Sequence, residues 1–123
     1  MSRITRTGPS RYSNTRSRAV AYQGVATTVA TATVKSSSVF EQSRDTLANV
    51  DSQLAEIGTD KSRVLSVTVY LSRIEDKPEF NRAWDEWVDP ENLPMRACVG
   101  VDLEGSDLVE VVVTAATPLK TAP

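Results

Sequence analysis

A β-branched, alternating segment, Val64 to Ser72, stands between two segments with helical periodicity, and this arrangement constrains the fold most. Upstream, Phe40, Leu47, Val50, Leu54 and Ile57 recur at three- and four-residue steps, with Ser43 in the one gap. That stripe predicts a helix from Val39 to Ile57 with one core-facing side. Ser38 followed three residues later by Glu41 is a capping-box pattern, and Gly58 suits the left-handed C-cap. Downstream, Pro78 falls in the first turn of a second helix that begins after Asp76. Phe80, Ala83, Trp84, Trp87 and Val88 form its apolar stripe, and Pro90 stops it. The intervening strand is expected in the sheet interior.

The remaining segments read as strands. Arg11–Arg16 and Ala19–Gly24 are expected to pair around a Ser17-Arg18 turn, and the Thr/Ala/Val-rich residues that follow extend a strand or begin a linker ending at Ser38. Met95–Val101, introduced by Pro94, and Leu108–Ala115 are expected to close a hairpin through Glu104–Asp107. The order β-β-α-β-α-β-β implies an α+β fold, a mixed sheet with two helices on one face. The other face carries residues such as Val109, Val111 and Val113, or their opposites. It is too apolar for water, so self-association is expected. Residues 1–8 read as a flexible N-terminus, 9–117 as a single domain and 118–123 as a tail.

Each C-terminal strand carries one charge where an apolar side chain belongs: Arg96 and Glu110. A half-buried ion is costly unless partnered, so the pair marks a compact polar site. The guanidinium can fork a ligand carboxylate, and the carboxylate can take or position a proton. A structural ion pair is the plainer reading. If Leu103 pairs with Leu108, the two charges fall on different sheet faces; a bulge, an odd-length loop or a neighbouring subunit would reunite them.

Composition removes other chemistries. The chain has no histidine, which excludes Ser-His-Asp and Cys-His catalysis and most zinc sites. One cysteine, Cys98, permits no intrachain disulfide and no Cys-based metal cage, and it suits a reducing, cytoplasmic setting. A formal net charge of -2 gives no general attraction to nucleic acid. No apolar run approaches a membrane span. Charge is unevenly spread: residues 1–38 hold Arg3, Arg6, Arg11, Arg16, Arg18 and Lys35 and no acid. This reads as a solvated or interface-facing edge, or less readily as an RNA patch. Asp85, Glu86 and Asp89 read as a solvated acidic face.

An ordered set of segments resembles the reactive-intermediate deaminase (RidA/YjgF) family: Gly8-Pro9 with Arg11-Tyr12-Ser13, Tyr22-Gln23-Gly24-Val25-Ala26, Leu54 to Leu65, Val67 to Leu71, Phe80-Asn81 with Trp84 and Trp87, Pro94 to Val99, and Val109-Glu110-Val111 with Thr114-Ala115. The resemblance implies a chorismate-mutase-like fold and a homotrimer with clefts between subunits. It also implies cofactor-independent, metal-free hydrolysis of 2-imino or enamine acids, of the 2-aminoacrylate type, to 2-keto acids and ammonia. By that resemblance Arg96 grips the substrate carboxylate and Glu110 positions or activates water. Cys98 lines the cleft, and Tyr12, Gln23 and Gly24 form part of its wall. Val25 departs from the family's Gln, and the first hairpin is about two residues short of its norm. The alternatives are a non-catalytic trimer that binds small carboxylates and, ranked last, RNA cleavage.

Overall fold

A computed structural model describes residues 3–118. Strands β1 (Thr5–Thr7), β2 (Ala19–Tyr22) and β3 (Val25–Thr31) precede helix α1 (Val39–Glu56). Then come β4 (Val64–Leu71), α2 (Lys77–Trp87), β5 (Met95–Gly100) and β6 (Val109–Ala116). They build one six-stranded sheet, ordered β1-β2-β3-β6-β4-β5, in which β4 and β5 are parallel and every other pair is antiparallel.

Both helices form where their stripes require. Ser38 caps α1, its hydroxyl accepting from the Glu41 N–H at 3.2 Å. Gly58 takes φ +93 immediately beyond α1. Leu47, Val50 and Leu54 of α1 and Phe80, Ala83 and Trp87 of α2 pack on Val67, Val69, Leu71, Val109, Val111 and Val113, so both helices cover one sheet face. Among the described residues no helix is long and apolar enough to cross a membrane.

Three expectations are corrected. The segment expected to fray contains β1, whose Thr5, Arg6 and Thr7 pair with Ala21, Val20 and Ala19. Arg11–Arg16 is not a strand but a loop, tied by Ser10 N–H to the Arg16 carbonyl at 2.7 Å. The first tight hairpin is instead β2–β3, whose turn residues Gln23 and Gly24 both have positive φ, the geometry that matches strand twist. Finally, β5 and β6 are not neighbours, because β4 lies between them. A strand entered through a crossover helix lies parallel to the strand before it, so β5 takes the outer edge of β4. Most of the expected tail, residues 119–123, lies outside the described residues.

The connection that returns from β5 to β6 is held by a buried side chain. Gln42 of α1 is fully enclosed. Its amide donates to the carbonyls of Ser36 and Ser106 at 2.7 and 2.9 Å and accepts from the Leu108 N–H at 3.0 Å. Replacing Gln42 by Ala strands all three backbone groups. Urea unfolding is expected to show Gln42→Ala destabilised by about 3 kcal/mol, well above the cost of an exposed substitution such as Glu41→Ala.

Candidate functional site

Strand β2 has four residues and β3 has seven, so the last part of β3 has no strand partner on the β2 side. Side chains serve its carbonyls instead. Gln53 donates to Val29 O at 2.9 Å and Asn49 to Thr31 O at 2.9 Å. Beyond the strand, the Tyr12 hydroxyl donates to Ala32 O at 3.1 Å. Over this uncovered edge lies a cavity of about 620 Å³, walled by the 10–18 loop and the 104–107 loop, with Glu110 inside it.

Glu110 is half-buried, in register with Thr31 of β3 and Tyr70 of β4. Burial pushes its carboxyl above the usual range; Asp107 and Glu104 push the same way, and Arg16 opposes them. Within one chain it is Arg16, not Arg96, whose charge opposes the shift of Glu110. Lys35 pairs with Asp107 at 2.5 Å and lies 5.4 Å from the Tyr12 ring centroid. Arg18 forks onto Glu56 at 2.9 and 2.7 Å, which fixes the end of the 10–18 loop.

Arg96 sits elsewhere. It pairs in register with Val67, which in turn pairs with Val113, so its side chain leaves the helix-covered face at the β5 edge. Glu110 leaves the opposite face. The half-buried guanidinium lies 5.1 Å from the Trp84 ring and 5.6 Å from the Phe80 ring, and it makes no ion pair among the described residues. Cys98 lies two residues along on the same face, and burial raises its thiol above the ordinary value against the pull of Arg96 and Lys77. It is a packed thiol, not a thiolate nucleophile. Next to Phe80 on α2, the buried Asn81 Oδ1 has no hydrogen-bond partner among the described residues.

Within one chain, then, the expected residues fall into three places. Tyr12 and Glu110 share the cavity. Arg96 and Cys98 share the β5 edge. Gln23 and Gly24 form the β2–β3 turn, at the opposite end of β3 from the Glu110 row. Six residues of extended chain separate them from that row, about 20 Å. Arg16, Asn49, Gln53 and Asn81 were not singled out as site residues. Of these, Arg16 stood in the acid-free basic run and Asn81 in a segment that carries the family resemblance; Asn49 and Gln53 had no signal.

The sequence model of the family described as endoribonuclease L-PSP matches residues 7–117. A RutC family protein from Haemophilus ducreyi is 46% identical over 85 residues, covering 68% of this chain and 73% of that protein. The RutC family protein YoaB from Escherichia coli is 37% identical over 78 residues, covering 63% of this chain and 68% of its own length. A YjgF family member from Neisseria meningitidis superposes with a TM-score of 0.87 at 32% identity, covering 96% of this chain and 98% of its own.

The raised Glu110 carboxyl has a thermodynamic consequence. The stability it confers is full below the ordinary carboxylate pKa and is lost as pH rises through the shifted value. Glu110→Gln carries no such loss. Thermal unfolding is expected to show the variant gaining on wild type as pH rises above the ordinary carboxylate range, about pH 4; a difference independent of pH would contradict the assignment.

Proposed function

Because the chain belongs to the RidA/YjgF family, we propose that it is a cofactor-independent deaminase acting on reactive 2-imino and enamine acids of the 2-aminoacrylate type. The products are 2-keto acids and ammonia, and the reaction takes place in a cleft shared by two protomers of a homotrimer. One observation carries the reading: the half-buried Arg96 guanidinium has aromatic neighbours but no counter-ion among the described residues. Such a group is stable when an anion docks on it.

Arg96 and Glu110 leave opposite sheet faces, so a cleft that uses both takes Arg96 from one protomer and Glu110 from the next. The uncovered face supports assembly. It exposes Val20, Tyr22, Val25, Val29 and Val99, with the half-buried Val112 at its middle.

The chemistry asks little of the protein. Arg96 forks the substrate carboxylate, with Cys98 and Tyr12 as walls. An enamine first takes a proton from solvent at its terminal carbon and gives one up from nitrogen, which makes it the imine. Glu110 orients a water and takes its proton as the oxygen attacks the imine carbon, giving a carbinolamine. Glu110 returns that proton to nitrogen, the carbinolamine hydroxyl gives its own proton to the same nitrogen, ammonia leaves, and the carbonyl of the 2-keto acid forms. A carboxyl pKa above its ordinary value makes Glu110 a stronger base toward that water. RNA cleavage, named by the family description, has only the basic N-terminal run in its favour here, and the chain has no histidine to serve it.

The test is to generate 2-iminopropanoate in situ with an amino-acid oxidase and follow its loss. Wild type is expected to accelerate the loss, and Arg96→Ala to lower kcat/KM about a hundredfold. No acceleration, or equal acceleration by the variant, rejects the reading; calorimetric binding of keto acids without turnover would make the chain a carboxylate-binding trimer instead. Val112→Asp, which places a charge on the uncovered face, is expected to sediment as a monomer and to lose turnover with assembly.

A further inference from the structure

The cavity beside Glu110 is bordered by four cationic side chains: Arg11, Arg16, Arg18 and Lys35. Three already have partners. Arg18 is forked onto Glu56 and donates to Pro9 O at 2.6 Å. Lys35 is paired with Asp107 and donates to Ala32 O. Arg11 donates to Thr33 Oγ1 at 2.5 Å. Arg16 alone of the four has no ion pair and no side-chain hydrogen bond among the described residues. Its backbone is nonetheless anchored: the Arg16 carbonyl accepts from Ser10 N–H at 2.7 Å, and two residues on Arg18 N–H donates to Thr7 O at 2.8 Å. Arg16 also borders a second cavity, of about 360 Å³, that opens beside Arg6 and Pro9. An exposed guanidinium, unpartnered among the described residues and carried on an anchored backbone, thus borders both cavities.

Resting on the deaminase reading above, we infer that Arg16 receives a second substrate carboxylate and that the preferred substrates are imines of dicarboxylic amino acids, such as 2-iminosuccinate and 2-iminoglutarate. A monocarboxylic imine held by Arg96 would present only a methyl group toward Arg16 and would strip water from it without replacing the lost interaction. A dicarboxylic imine places an anion there and gains a forked, charge-assisted contact. Selectivity then comes from attraction of one substrate and rejection of the other. The reaction balances as before: imine plus water gives the 2-keto diacid and ammonia.

A simpler role for Arg16, as counter-ion to Glu110 alone, predicts a different result. Removing a counter-ion changes the turnover of every imine alike. Removing a carboxylate receptor changes the ratio between substrates. The experiment compares 2-iminosuccinate, made in situ by an oxidase acting on aspartate, with 2-iminopropanoate made from alanine. Wild type is expected to favour the former in kcat/KM by about tenfold or more. Arg16→Ala and Arg16→Gln are expected to bring that ratio close to one, and Arg16→Lys to restore part of it. A ratio unchanged by these substitutions, or a wild-type preference for 2-iminopropanoate, overturns the inference. If neither imine is turned over, the deaminase reading has failed, and calorimetry decides the inference separately. Tighter binding of 2-oxoglutarate than of pyruvate, lost in Arg16→Ala, supports it; equal binding or none overturns it.

Discussion

The position of β4 between β5 and β6 decides where every charge in the candidate site goes. The parallel crossover through α2 sets β5 on the outer edge of β4, and β6 reaches β4 from the other side. The register Arg96–Val67–Val113 then assigns Arg96 to the helix-covered face, and Glu110–Tyr70 assigns Glu110 to the uncovered one. Side-chain period 2 makes this separation rigid; no rotamer change carries either group through the sheet. The separation of the two charges and the exposure of Val20, Tyr22, Val25, Val29 and Val99 on the uncovered face are two results of one topology.

Polar side chains do much of the structural work around the cavity. Gln42, Gln53 and Asn49, all on α1, hydrogen-bond backbone groups that no strand reaches. Gln53 also donates to the Thr28 hydroxyl at 2.6 Å, which in turn donates to Arg18 O at 2.8 Å. Helix α1 is thereby tied to both walls of the cavity, the 10–18 loop and the 104–107 loop. Amides suit this role because each supplies donors and an acceptor without a charge to desolvate.

The helices, the interior strand and the two-layer architecture were legible in the sequence because apolar periodicity reports burial directly. Ser38, Gly58 and Pro78 marked helix ends through local backbone chemistry, which needs no tertiary knowledge. The first hairpin was misplaced because Gln23 takes a left-handed conformation that its side chain does not advertise; neither Ser17 nor Arg18 is the Gly or Asn that a primed turn prefers. The β5–β6 adjacency was wrong for a different reason. Chain proximity suggests a hairpin, whereas the crossover rule applied to α2 would have placed β5 beside β4. Arg96 and Glu110 were visible as charges in apolar strands. Gln42, Gln53 and Asn49 were not, because a polar residue on a helix ordinarily reads as solvent-facing.

The shortness of β2 has a consequence of its own. The chamber beside Glu110 exists because the hairpin stops zipping after Ala19–Thr28, leaving Val29–Thr31 unpaired on the β2 side. Hairpin length therefore works as a gauge of chamber size. Each further residue pair added to the zipper would seal about 3.4 Å of that edge and displace one of the α1 amides from its carbonyl. Relatives that differ here by an insertion or deletion can rescale what they admit while leaving helices, core and charged groups untouched.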